Sequence, residues 1–276
     1  MKKIIYYILI LPLILCISGC LDENPRDQLD QDAIYDNASN IYNNAVASLY
    51  NYFGGHQNSE GLQGTCRGLY DYNTLTSDEA MIPTRGGDWY DGGLWKNLYQ
   101  HKWSANDIYL YDIWKYLYKV IMLSNKSLAD IESHKGALSY DQYKCFTAEV
   151  RAIRALYYWY AMDMFGNIPL VTSYNVKLEQ VVQNKRSEVF QFIVDELQQA
   201  APLLADARSN KAGDYYGRIT RPVVHFLLAK LALNAEIYSD DNWTDGKQMD
   251  GRTIFFDVNG VKKNAWETCI WYCDQL

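Results

Sequence analysis

From residue 107 onward the apolar residues recur at helical spacing, and no alternating pattern competes with it over the helical part. A chain patterned in this way has to bury helix faces against one another. In 107–131, Ile113, Leu117, Val120, Ser124, Leu128 and Ile131 share one stripe. A second helix is expected from about Tyr140 to Phe165, opened by a capping box of Ser139 and Gln142 and stopped by Gly166 and Pro169. A third, from Glu188 to Leu204, aligns Phe190, Ile193, Val194, Leu197, Ala201 and Leu204. Thr220 should cap a fourth, with Pro222 tolerated in its first turn. This fourth helix runs to about Tyr238 and is apolar most of the way round, so it should be central. An earlier helix, Asp32 to Phe53, places Ile41, Ala45, Val46, Leu49, Tyr50 and Phe53 on one face.

Successive helices of this length joined by short loops predict an all-α, tetratricopeptide-like helix-pair scaffold, although no clean signature of that repeat is present. Residues 252–263 are expected to form a hairpin about Asn259-Gly260, a favoured two-residue turn. A fifth helical pattern starts near Ala265 and is still apolar at Trp266, Ile270 and Cys273. No stop signal precedes Leu276, so a longer protein truncated at its C-terminus is expected. Residues 54–104 interrupt the helices with a long glycine- and aromatic-rich insertion, in which no helical period survives. A loop that long inside a domain is usually functional.

The N-terminus is read separately. Lys2 and Lys3 precede an apolar run from Ile4 to Leu15, too short to span a bilayer comfortably and of the size of a secretory signal. It ends in Ile17-Ser18-Gly19-Cys20, where small residues admit a peptidase and the Cys20 thiol can take a diacylglycerol. This resembles the lipobox of bacterial lipoproteins. Residues 1–19 are thus expected to be a signal peptide, 20–31 a lipidated tether containing Pro25, and 32–276 the helical domain. Several acyl chains on one cysteine anchor a protein without a transmembrane helix.

Composition narrows the function. With 49% hydrophobic and 21% charged residues the chain can bury a core. Its formal charge of -7 becomes -9 once Lys2 and Lys3 are removed, which argues against nucleic acid. Beyond Cys16 and Cys20, Cys66, Cys145, Cys269 and Cys273 lack the spacing of a disulfide scaffold and are read as buried small residues. A disulfide remains open to them, because an exported protein meets an oxidising compartment. Cys269 and Cys273 lie one turn apart, but none of His56, His101, His134 or His225 is near enough in sequence to complete a zinc site. No metal or cofactor is expected.

Four segments together resemble the SusD/RagB family of nutrient-binding outer-membrane lipoproteins. They are Glu149 to Tyr158 continuing through Phe165-Gly166-Asn167-Ile168-Pro169-Leu170; Arg186-Ser187-Glu188-Val189-Phe190 with Asp195-Glu196-Leu197; Gly217-Arg218-Ile219-Thr220 with Leu228-Ala229-Lys230; and Thr76-Ser77-Asp78-Glu79 with Asp88-Trp89-Tyr90 and Trp95. The resemblance implies a scaffold that binds a glycan or peptide outside the cell. It also implies a SusC-like TonB-dependent transporter as partner and an outer-membrane location, with Asp22-Glu23 similar to signals for the outer leaflet. Family members continue well past residue 276, and the remaining half normally contributes part of the site.

Sugar recognition needs aromatic faces and groups that bond hydroxyls. The insertion supplies Asp78, Arg85, Asp88, Trp89 and Tyr90, although Trp89 and Tyr90 could instead plug the loop onto the helices. Trp103 with Asn106 looks like the stacking and hydrogen-bonding pair of the starch-binding member, and could equally be buried structure. Glu149, Arg151 and Arg154 are expected to pair between helices rather than touch ligand. Residues 240–246 hint at calcium but lack a glutamate at the twelfth loop position, and are read as a solvated loop. The expected function is therefore glycan capture without catalysis. A scaffold for other proteins, or a hydrolase using Asp88 and Asp91, is the alternative.

Overall fold

Helices α5 (Ile108–Ser133) and α6 (Tyr140–Phe165) set the frame. They pack along their length and are joined only by residues 134–139, a link that forces antiparallel neighbours. In this computed structural model the described residues are 34–54, 60–63 and 67–276, and residues 35–276 form one compact unit. The signal peptide, Cys20, the tether, His56 and Cys66 lie outside the described residues. No described helix is long and apolar enough to cross a membrane.

Each frame helix begins where its side chains demand. Asp107 accepts the Tyr109 N–H at 2.9 Å to open α5, and Ser139 and Gln142 form the expected reciprocal box at the start of α6. Gly166, at φ 71°, takes the chain out of α6 through a conformation open to glycine. Ile113, Leu117, Val120, Ser124 and Ile131 are buried on α5 as their spacing predicts, with Leu128 at the edge.

Helix α7 (Arg186–Ala200) packs on the other side of α6, and Phe190, Ile193, Val194, Leu197, Ala201 and Leu204 are all buried. It starts two residues earlier than the pattern suggested and tightens into a 3₁₀ turn over Ala201–Leu203, where Pro202 cannot donate. Before α5 come α1 (Ala38–Ile41), a π-helical turn (Tyr42–Ala47) and α2 (Ser48–Gly54), with Ile41, Ala45, Val46 and Leu49 buried.

The insertion is less irregular than its sequence. It contains two short helices, α3 (Leu69–Leu75) and α4 (Leu94–Tyr99), which bury Leu69, Tyr72, Leu75, Trp95 and Leu98. The pattern missed them because helices this short are held by tertiary contacts rather than by propensity.

Helix α8 (Arg221–Leu233) packs on α10 (Ala265–Cys273). Thr220 precedes α8, but its side chain makes no capping bond and Oγ1 is buried without a partner, which corrects the expected cap. Nor does this helix reach Tyr238 unbroken. Asn234 turns its amide onto the Lys230 carbonyl at 2.9 Å and separates α8 from α9 (Ala235–Tyr238).

Among the described residues the strands form two small antiparallel pairs. Strand β1 (Ile168–Pro169) pairs with β2 (Gln183–Asn184), and β3 (Phe255–Val258) with β4 (Val261–Asn264). The second pair is the expected hairpin, with Asn259 and Gly260 at φ 55° and 79° as its turn requires. The cysteines depart from expectation: Cys145 and Cys269 are half-buried, Cys273 is exposed, and all three are free thiols.

Between the helices run two polar seams. Buried Glu149 receives Arg218 at 2.7 and 3.1 Å and the hydroxyls of Tyr50 and Tyr42 at 2.5 and 3.2 Å. Burial and the Glu149 charge push both phenols well above the usual tyrosine range. Buried Glu196 accepts from Arg151 at 2.6 Å and from Arg154 at 2.6 Å, and Arg154 continues to Asn125 at 2.7 Å. Arg151 and Arg154 thus pair between helices as expected, whereas the cation on Glu149 comes from the turn before α8.

Candidate functional site

The C-terminal end of α6 carries a surface cleft of about 700 Å³. Tyr72 and Asn73 from α3, with Thr76 just after it, form one wall and Trp103 from the end of the insertion another. Asp163, Met164 and Phe165 of α6 line it as well, as does Trp243 from the loop after α9. Trp243 is 77% exposed and stands largely free, while Trp103, 41% exposed, offers part of its ring to the cleft.

The polar groups around this cleft are held in place. Tyr72 donates to Asp107 at 2.9 Å, which ties α3 to the first turn of α5, and burial followed by that bond raises its phenol far above the ordinary value. Asp163 accepts one bond, from the Tyr238 hydroxyl at 2.6 Å, and Tyr238 accepts in turn from the Trp159 indole at 3.0 Å. Burial first, and the Asp163 charge second, keep the Tyr238 phenol protonated well beyond the usual range.

The insertion groups the remaining candidates around two anchors. Asp78 lies 3.1 Å from His101, whose ring centre is 5.5 Å from that of Trp103, so Asp78 and Trp103 are linked through a histidine that sequence reasoning did not select. Arg85 and Asp88 exchange backbone bonds of 3.0 and 2.9 Å across a tight turn through Gly86. That turn presents Trp89 and Tyr90, which are 54% and 61% exposed. The plug is Trp95, only 4% exposed, whose indole donates to Asp91 at 2.5 Å while Arg67 bonds the same carboxylate at 2.9 Å. Arg67 also lies over the Trp95 ring, 5.8 Å from its centre. Trp89 leans on Trp95 at 6.2 Å between ring centres and is otherwise open. Asn106 is exposed, with its backbone N–H on the Ser104 hydroxyl at 3.3 Å.

Backbone strain concentrates here. Arg67, Asp78, Trp89, Asp91 and His101 all have φ between 41° and 63°, and elsewhere among the described residues Asn259 alone, apart from glycines, does so. Such a conformation is costly for a bulky residue, and it gathers at functional sites.

A family profile described as "Starch-binding associating with outer membrane" matches residues 23–233, well over half of the chain. The chain belongs to the SusD-like family. A SusD-like protein of Bacteroides ovatus is 25% identical over 241 residues, covering 85% of this chain and 38% of its own length. The starch-binding protein SusD of Bacteroides thetaiotaomicron is 26% identical over 188 residues, covering 65% and 30%. A laminarin binding SusD-like protein of solved structure aligns with a TM-score of 0.59 at 24% identity, covering 76% of this chain and 44% of that one. This SusD-like chain thus spans well under half the length of these relatives, and its helical fold is the one they share.

Within the SusD-like fold, Trp103 lines the cleft, while Arg85, Asp88, Trp89 and Tyr90 form an exposed turn beside the Trp95 anchor. Sequence reasoning passed over Trp243, since its polar neighbours suggested only a solvated loop. A bulky ring amid the six small or polar residues of 240–242 and 244–246 was the available signal.

Proposed function

We propose that this SusD-like chain forms part of a glycan-binding lipoprotein, anchored through lipid on Cys20, facing outward from the outer membrane. It captures oligosaccharide and hands it to a SusC-like TonB-dependent transporter. The observation that carries the reading is the cleft at the end of α6, where exposed Trp103 stands beside Asn73, Thr76 and Asp163. A flat apolar face next to short polar side chains suits a sugar ring, which has an apolar face and a hydroxyl rim. Family membership supports the same reading.

Binding without catalysis fits this arrangement better than hydrolysis. A glycosidase needs two facing carboxyl groups, one of them desolvated. Among the described residues lining the cleft, Asp163 is the one carboxylate. Asp91 is engaged by Arg67 and Trp95, and Asp88 sits on an exposed turn. Affinity electrophoresis through starch and laminarin gels tests the reading. Retardation by either polysaccharide, without release of reducing ends, is expected. Free migration through both gels, with no heat of binding in calorimetry, would sink it. For the anchor, Cys20→Ala should abolish fatty-acid labelling, and unchanged labelling would refute lipidation at that residue.

A further inference from the structure

A second cavity, of about 380 Å³, adjoins the Trp103 cleft. It shares Asp163, Met164, Phe165 and Trp243 with the cleft and continues past Gly166 to Gln183, Arg186 and Asp241. The end of α6 is thus a common floor, and Trp243 borders both spaces. Each cavity alone has the volume of a small-molecule site, about 300–1,000 Å³. Two in series suit a ligand longer than either.

Trp243 is the most exposed of the large aromatic side chains among the described residues. Its loop is nevertheless fixed. Arg186 donates to the Asp240 carbonyl at 2.8 Å, and Asp241 accepts from the Ser187 N–H and hydroxyl at 3.1 and 2.7 Å. Past the tryptophan, the Gly251 N–H donates to Glu236 at 2.6 Å, and the Trp266 ring lies against Gly251 so closely that a Cβ there would collide with it. Between these ties, Asn242 and Lys247 donate backbone N–H groups to Asp240 and Asp245. One exposed ring is ordinary on a protein surface; what sets Trp243 apart is its place, on a pinned loop where two cavities meet. The floor adds an acceptor, since Asp163 spends one oxygen on Tyr238 and has no described partner for the other.

We infer that Trp243 is a second aromatic platform, and that the ligand is an extended oligosaccharide lying from Trp103 across Asp163–Phe165 to the Arg186 and Asp241 side. The inference rests on the glycan-binding reading and specifies its ligand as a chain of several sugar units. Hydroxyls of the distal units would meet the Gln183 amide and the Asp241 carboxylate, while Trp243 stacks on a ring between the two cavities. Because Trp243 buries little protein surface, its removal leaves the fold intact.

Calorimetry on the full chain tests this with maltooligosaccharide and laminarioligosaccharide series, each from the disaccharide to a long oligomer. Wild-type affinity should rise with chain length in the series that binds. Trp243→Ala should lower affinity for the long oligomer by about tenfold or more, as loss of an aromatic anchor does. It should leave the disaccharide and the melting temperature unchanged, and Trp243→Phe should restore most of the loss. Trp103→Ala should weaken short and long chains alike. Unchanged affinity of Trp243→Ala for the long oligomer overturns the inference and leaves the glycan reading standing. Failure of the wild-type protein to bind any member of either series, or either polysaccharide, overturns both.

Discussion

The α5–α6–α7 layer and the insertion from 67 to 104 draw on the same residue types and use them in opposite ways. In the layer, Tyr116, Tyr157, Tyr158 and Arg154 are buried, and buried Glu196 is answered by Arg151 and Arg154 of a neighbouring helix. In the insertion, Trp89, Tyr90 and Trp103 stand in solvent, and the backbone beneath them takes left-handed turns at Asp78, Trp89, Asp91 and His101. The difference separates cost from use. Partnered burial makes a platform rigid enough to carry a strained, exposed surface, and that surface contributes little to the platform's own stability.

The largest test strikes the layer. Glu196→Ala leaves buried Arg154 without its carboxylate, and removing one partner of a buried pair costs about 3–5 kcal/mol. Urea unfolding should show that loss, and a change near zero would mean the seam adds nothing to stability. Within the insertion, Trp95→Ala should behave like a core substitution and cost about 3 kcal/mol, because Trp95 is buried where its neighbours are not. Limited proteolysis should then cut between residues 67 and 104 while the helical circular dichroism holds. Global unfolding would show that the two regions are one cooperative unit.

A third contrast appears only in alkali. Burial, then the Asp130 charge, raises the Tyr35 phenol from 10.0 to about 12, and burial raises Tyr158 to about 12. These phenols stay protonated in the fold after they would ionise in the unfolded chain. Their contribution is therefore complete below pH 10 and is lost as pH rises through about 12. Midpoints of thermal melts should fall over that window, and Tyr158→Phe should flatten the fall. The smallest effect belongs to the exposed turn. Trp89→Ala should change stability by no more than about 0.5 kcal/mol. A larger loss by calorimetric melting would make Trp89 part of the anchor and erase the distinction drawn from Trp95.

The sequence was most readable where one face repeats over several turns, as in α5 to α7, and where a turn has its own chemistry, as at Asn259-Gly260. It was least readable where tertiary contacts decide. Helices α3 and α4 show no period because they are only one to two turns long and are fastened by Tyr72 to Asp107 and by Trp95 to Asp91. Thr220 has the right chemistry for a cap and the wrong surroundings, its hydroxyl being enclosed without a donor to meet. Among the site candidates, aromatic character could be read from the residue types. Which ring anchors and which is offered to solvent could not, because that depends on the turn and helix that carry Trp89 and Trp95 and on what packs against them.

The Glu149 seam also imposes an order of events. Tyr50 donates to Glu149 and accepts the N–H of Ile219, a bond that bridges 169 residues, and the Arg218 that answers Glu149 comes 69 residues after it. A chain emerging from the ribosome has made Glu149 long before it has made Arg218. Through that interval a closed seam would enclose a carboxylate without its cation, which is too unfavourable to persist. The seam is therefore complete only with the turn before α8, after more than two hundred residues of chain.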